Sequence, residues 1–321
     1  MFTVKRYIQE EEKWNKFVQS SSNGTLFHSL SFLGYHKDRF NDEVHHLAWY
    51  KGEALYAVMP MAIAEHQGKK VARTPYGASF GGPCIPDKFR LKHAIALVDV
   101  LVEYLKEQNV QELRITLPPS IYNRAKSSYL DFALAQKGKL EAREVFNIVD
   151  LRNETEAFNL YEGRARTTLR KCADKFNYLP NSSVEEFYPI LVEDKLRHEG
   201  SVPTHSIEDL KWLEENLPGK IWFDIAEHKE TKGRAGICYF QLSDECVMTF
   251  YMSQETKALR LDGTNFLVNE GIKAELSKGT AYFDFGGSTI GYHIQNIGVA
   301  EFKESFGAKC HLRDTYTLKI D

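Results

Sequence analysis

RLDGTN at residues 260–265, YFDFGGS at 282–288 and GVAEFKESFG at 298–307 follow one another near the C-terminus. The first stretch joins a strand-like run to an apolar periodic segment at 264–277, so it sits where a helix begins. Glycine at 263 lets the chain turn tightly, and the first N–H groups of the helix would then face outward. Such a helix start binds phosphate, and Arg260 would add a charge-assisted contact. Arg260, Gly263, Thr264 and Asn265 are therefore the candidate donor-binding residues. The same six residues also read as an ordinary helix N-terminus behind a glycine turn. In the second stretch, alternation sends Phe283 and Phe285 to one face of a strand at 281–285 and Asp284 to the other. A carboxylate at a strand end beside two glycines can orient or deprotonate an attacking amine, or it can cap the next turn. In the third stretch, Phe302 and Phe306 stand i, i+4 and anchor one helical face. Lys303 lies beside that anchor, either to stabilise an oxyanion or a donor phosphate or as a solvated surface lysine.

Working outward, strands are predicted at 221–227, 235–242 and 247–252, with turns at 231–233 and 243–244. Helices are predicted at 164–176, 184–198 and 206–216, the last opened by a loose cap from Ser206 and Asp209. Pro180, Asn181 and Ser182 read as a break. A short helix at 299–305 and a strand at 315–320 end the chain. The first half opens with a strand at 2–7 and a helix at 10–20. A hairpin follows, 46–50 with 55–64, turning at Lys51-Gly52-Glu53. A Gly-, Pro- and aromatic-rich loop covers 74–86. An apolar helix spans 88–107, with Leu91, Ile95, Val98 and Val102 at helical spacing. A strand at 112–117, a helix at 122–136 and a strand at 145–151 complete the half. Both halves run strand–turn–strand, apolar helix, strand. The pattern is that of a duplicated α+β module with domains at 1–151 and 152–321.

Composition narrows the function classes. The chain has 321 residues, 43% apolar and 26% charged, so a folded protein with a sizeable core is expected. A net charge of −3 is not the field of a duplex-binding protein, so DNA is not an expected partner. The opening MFTVKRYIQEEEKW carries no apolar run behind its charges, and no stretch approaches the roughly 18 apolar residues of a membrane span. Five scattered cysteines show no C-x-x-C spacing and read as reduced, mostly buried thiols. A cytoplasmic location is expected. The eleven histidines show no metal-binding spacing, and no metal is called for. His293 is placed to serve as a base or as a surface histidine. No G-x-S-x-G elbow is present, so a covalent enzyme intermediate is not expected.

The order G-x-N before a helix, D-F-G-G after the next strand, then F-K-x-x-F-G resembles the FemABX-like branch of the GNAT superfamily of N-acyltransferases. The match covers residues 260–307 and extends loosely to the 74–86 loop and the basic helix at 164–175. The resemblance implies two GNAT-like domains, each a mixed, mostly antiparallel sheet flanked by helices, with a cleft between them. It implies acyl transfer to an amine without a metal, with Lys303 near the donor and transition state; Lys303 and Asp284 are the candidate catalytic residues. Arg166 and Arg170, i and i+4 on the basic helix, match the region that in relatives holds anionic groups of the acceptor. Two arginines on one face suit a diphosphate or carboxylate, or form a solvated face laced with Glu162 and Asp174. Tyr76 and Phe80 would form an acceptor wall, or pack a structural loop.

Three functions follow. The first is an N-acyltransferase that moves an acyl group from a coenzyme A thioester to a small amine, such as an amino sugar, an amino acid or a cell-envelope precursor. Its R-x-x-G-x-N segment is one residue away from the coenzyme A pattern R-x-x-G-x-A. The second is a peptidyltransferase using aminoacyl-tRNA on a peptidoglycan precursor; the absence of a long heptad arm argues mildly against it. The third is a non-catalytic binding protein of the same fold.

Overall fold

In a computed structural model that describes residues 2–290 and 294–320, the chain divides into two compact units. One comprises Met1–Val145, Thr289–Ile294 and His311–Asp321, the other Phe146–Ser288 and Gln295–Cys310.

The first unit carries a small antiparallel sheet in the order Thr3–Arg6, Leu47–Lys51, Ala54–Met59. A second sheet runs Ala62–His66, Lys69–Thr74, Glu112–Thr116, Lys309–Lys319 and then the first half of Lys139–Asp150. The expected hairpin arm at 55–64 is two strands, broken at Pro60-Met61. Proline has no N–H for a sheet ladder, so the run changes sheet there. Helix Leu91–Glu107 buries Ala94, Leu97, Val98, Leu101 and Leu105. Its buried stripe is therefore rotated from the expected one, and Leu91 is exposed. The helix expected at 122–136 begins only at Tyr129. Before it, Arg124 N–H donates to Ser22 O and the Ser22 hydroxyl donates to Asn123 Oδ1, which fixes an irregular segment.

The second unit has the sheet order Lys139–Asp150 (second half), Tyr282–Gly287, Cys246–Gln254, Arg234–Ser243, Ile221–His228, Phe176–Ser182. One pair is parallel, Cys246–Gln254 with Tyr282–Gly287, and the others are antiparallel. The expected break at 180–182 is instead the end of edge strand Phe176–Ser182. An edge strand tolerates Pro180 because one row of its N–H groups needs no partner. The core joins Val149, Leu169, Ile237, Tyr239, Phe283, Phe285 and Phe306. Helix Val184–Glu199 is capped by Ser183 and Glu186, and Ile207–Asn216 by Ser206 and Asp209. Each unit contains a mixed sheet flanked by helices. Among the described residues no helix is long and apolar enough to cross a membrane. Cys84, Cys172, Cys238 and Cys246 are buried thiols and Cys310 is exposed.

Candidate functional site

The geometry of the site begins with a pair of strands that part. Cys246–Gln254 and Tyr282–Gly287 run parallel through Cys246↔Tyr282, Val247↔Phe283 and Met248↔Asp284, where the register ends. Cys246–Gln254 stays paired to Arg234–Ser243 out to Gln254↔Ala235. From 249 to 254 its other edge has no strand partner among the described residues. Backbone groups on an edge without a strand neighbour are met by side chains, water or ligand, as the Gln254 N–H is met by Asp194.

That edge opens into a cleft of about 350 Å³. Met252, Ser253 and Gln254 form one wall. Arg260, Asp262, Thr264 and Asn265 form the next, at the start of helix Gly263–Lys278. Gly298, Val299 and Phe302 come from helix Ile297–Glu304, and Asp194 and His198 from the end of Val184–Glu199. Three of the four donor residues expected from sequence thus line one cleft. The fourth, Gly263, does not, and the tight turn is not its work. Arg260 and Asp262 carry the left-handed backbone, each with φ +65°. Gly263 is required for packing, since a Cβ there would stand 3.0 Å from Ala235 Cβ and 3.2 Å from Phe176 Cε1.

Asp262 is the N-cap of this helix but makes no side-chain cap. The N–H groups of Gly263, Thr264 and Asn265 have no intrachain partner among the described residues. They leave a partial positive charge at the cleft. The cleft is not uniformly cationic, however. Asp194 accepts from the Gln254 N–H at 3.3 Å and from Arg197, and His198 Nδ1 lies 3.4 Å from its other oxygen. Sequence reading missed Asp194 and His198. Their i, i+4 spacing on one helix was the available signal.

A second cluster sits where the strands part. Lys303 is 2% exposed, so it is no surface lysine. Its Nζ donates to Gly286 O at 3.0 Å and to Gly287 O at 2.5 Å. Burial pulls its pKa down to about 8, against an opposing pull from the Asp284 carboxylate. Phe302 and Phe306 hold the helix against Phe285, with ring centroids 6.5 and 6.2 Å away. Gly307 follows at φ +88°, where a Cβ would meet Leu160 O at 2.7 Å. Asp284 is fully buried and accepts the Gly286 N–H at 2.7 Å, the turn-capping geometry. The strand end is therefore pinned twice, by a carboxylate on an N–H and by an ammonium on two carbonyls.

The remaining candidates lie elsewhere. Arg166 and Arg170 are on helix Gly163–Cys172, half-buried and exposed respectively. Arg166 Nη2 lies 3.5 Å from Asn159 O, its Nε is buried without a partner, and neither arginine pairs with Glu162 or Asp174 among the described residues. Neither lines the cleft. In the first unit, Phe80 is fully buried between Phe27 and Tyr122. Tyr76 is buried against His36, Phe40 and His46, and its phenol is pushed up by desolvation. Both face a packed interior rather than an open wall. His293 lies outside the described residues. Among those residues no group of three or more His, Cys, Asp or Glu side chains gathers as a metal site would.

No protein-family model matches the chain, and no curated protein matches it. Solved structures do. FemX superposes with a TM-score of 0.71 at 12% identity, over 97% of this chain and 96% of FemX. A tandem GNAT protein from the clavulanic acid biosynthesis pathway, solved without AcCoA, gives 0.59 at 11% identity, over 100% and 99%. This chain has the tandem GNAT fold of FemX. L-PGS from Bacillus licheniformis shares that fold, with a TM-score of 0.58 at 13% identity over 98% of this chain and 95% of L-PGS. Within the GNAT fold, the parted parallel strands and the adjoining helix start belong to the second unit of this chain.

Proposed function

We propose that the chain is an N-acyltransferase that moves an acyl group from a coenzyme A thioester to the amine of a small acceptor by direct attack. The parting of the parallel strands beside an uncapped helix start carries this reading. A pantetheine arm is peptide-like, and the strand edge beyond Met248, where pairing with Tyr282–Gly287 ends, would meet it at strand spacing. The diphosphate would meet the N–H groups of residues 263–265, with Arg260 pairing to it and Thr264 and Asn265 adding side-chain donors. The acceptor nitrogen bonds to the carbonyl carbon, the C–S bond breaks, and the proton of the amine ends on the thiolate. Asp284 and Lys303 act by fixing the strand end at which this happens. Arg166 and Arg170 would hold an anionic group of the acceptor, while Tyr76 and Phe80 support their loop from within. The free thiols fit a reducing cytoplasm. Calorimetry with acetyl-, succinyl- and longer acyl-CoAs tests the donor. Binding that weakens in Arg260→Ala supports it. No binding by any of them, with no effect of Arg260→Ala, would end the coenzyme A reading.

One observation favours a second reading, an aminoacyl-tRNA-dependent peptidyltransferase. Asp194 and Asp262 put two carboxylates into the cleft. Asp194 is already paired with Arg197, but Asp262, which makes no helix cap, would repel a diphosphate and suit the α-ammonium of an aminoacyl ester. Transfer of radiolabelled amino acid from tRNA to a nucleotide-linked peptide, with steeply salt-dependent tRNA binding, would decide for it. A wild-type protein that turns over no donor of either kind would point instead to a binding protein of this fold.

A further inference from the structure

We propose that the side-chain amide of Asn147 donates the hydrogen bond that receives the carbonyl oxygen of the transferred group as it gains charge. The inference rests on the acyl-transfer reading. Asn147 lies in strand Lys139–Asp150 and is 0% exposed. Its Oδ1 accepts from the Ser288 hydroxyl at 2.5 Å, and its Nδ2 has no hydrogen-bond partner among the described residues. Turning the amide over does not remove the deficit. Nδ2 would then donate to Ser288 Oγ and Oδ1 would lose its donor. A buried amide left this way costs about 1–3 kcal/mol, and folded chains keep few of them without a ligand, water or functional reason.

Its location says which reason. Strand Lys139–Asp150 pairs with Tyr282–Gly287 through Ile148↔Asp284 and Phe146↔Gly287, with a register slip between. Asn147 therefore stands opposite the slipped Phe285–Gly286 step. That step directly follows Met248↔Asp284, the last pair before the parallel strands part. Gly287 beside it is exposed and gives an approach from solvent. The nearby cation is already engaged, because Lys303 donates to the Gly286 and Gly287 carbonyls. The Asn147 amide is thus a buried donor without an acceptor, on the strand next to the point where the parallel strands part, and Ser288 is the residue that positions it.

As the acceptor nitrogen bonds to the carbonyl carbon, the C=O π electrons move onto oxygen, which accepts the Nδ2–H. When C=O re-forms, the bond to the leaving sulfur or ribose oxygen breaks, and that atom takes the amine proton. Removing one such donor lowers kcat by about 10²–10³-fold with little effect on KM.

The test uses the full chain with a panel of acyl-CoA and aminoacyl-tRNA donors and small amines. Asn147→Ala is expected to lower kcat by about 10²-fold or more, with KM within about threefold, and Ser288→Ala to lower kcat less. If wild type turns over and Asn147→Ala keeps kcat within about threefold, the proposal is wrong while acyl transfer stands. If wild type turns over no donor, the acyl-transfer reading falls and takes the proposal with it. A second measurement separates function from fold. The double variant Asn147→Leu with Ser288→Ala replaces both polar partners by apolar groups and should melt at or above wild type. A Tm lower by more than about 8 °C would show the pair to be structural and overturn the assignment.

Discussion

Replacing Lys303 by methionine should change stability little at pH 7 and distinctly more at pH 10. Two effects oppose each other. Holding a buried ammonium at a pKa of about 8 instead of the ordinary 10.5 costs about 3.4 kcal/mol. Methionine fills similar space and removes that cost. It also strips the Gly286 and Gly287 carbonyls of their donor, about 1–3 kcal/mol each. The difference at pH 7 is therefore within about 3 kcal/mol of zero. The pH dependence follows from linkage. The folded-state pKa is depressed, so between about 8 and 10.5 the unfolded chain binds more protons and wild-type stability rises with pH. From pH 7 to pH 10 the gain attributable to Lys303 is about 2.5 kcal/mol. Lys303→Met lacks this gain, and every other titrating group is common to both proteins. Urea unfolding of wild type and variant at pH 7, 8, 9 and 10 reads the difference directly. A stability gap that stays constant across this range would refute the picture of a desolvated lysine. So would a loss above about 4 kcal/mol at pH 7, which would mean that the ammonium is better stabilised than its surroundings allow.

Three further outcomes follow from the same structure. Gly263→Val should destabilise by about 2 kcal/mol or more in thermal melts, because the added methyls meet Ala235 and Phe176 in a packed interior. Arg260→Gly relieves a left-handed backbone and removes a cleft cation, so Tm should hold or rise slightly while acyl-CoA affinity in calorimetry falls about tenfold. Asp131 has its pKa raised to about 6 by burial and, more weakly, by the nearby Asp314. Its folded pKa lies above the unfolded 3.8, so the folded state binds more protons and stability falls as pH rises from about 4 to 6; Asp131→Asn should abolish a loss of about 2–3 kcal/mol in denaturant midpoints measured across that window.

The fold was legible where local pattern and tertiary demand agree. Strong periodicity placed the 91–107 and 263–278 helices to within a few residues, and Ser206 with Asp209 forms the expected reciprocal cap. It was not legible where the deciding contact is remote in sequence. Nothing in the 122–128 segment shows that Ser22 will hold Asn123 and Arg124 out of a helix. Pro180 reads as a break until Ile221–His228 is known to lie on only one side of it. The face of helix Leu91–Glu107 was misplaced because its apolar residues nearly encircle it. Which stripe is buried depends on the sheet beneath, and that sheet chose Ala94, Leu97, Val98, Leu101 and Leu105.

The site divides along the same line. Arg260, Thr264 and Asn265 were legible because residues within one six-residue turn at a helix start share one neighbourhood by construction. Asn147 was not, since its lack of a partner exists only once the register slip at Phe285–Gly286 is known. Lys303 falls between. Its aromatic anchor was visible, but sequence could not tell an ammonium facing a ligand from one facing two carbonyls. That distinction shifts where the charge stabilisation must come from. A cation committed to the strand end can fix the cleft wall but has spent its short contacts on the backbone. In the proposed acyl transfer, an oxyanion formed between the parted strands would have to be met by neutral donors, and the same low-dielectric burial that lowers the lysine pKa would strengthen each of those bonds. Asp194 and Asp262 sharpen the requirement at the other end of the cleft. There Arg197 already pairs with Asp194, which leaves Asp262 against Arg260 and the helix start, so in the proposed reaction the donor's charge and not its size should decide which ligand is held.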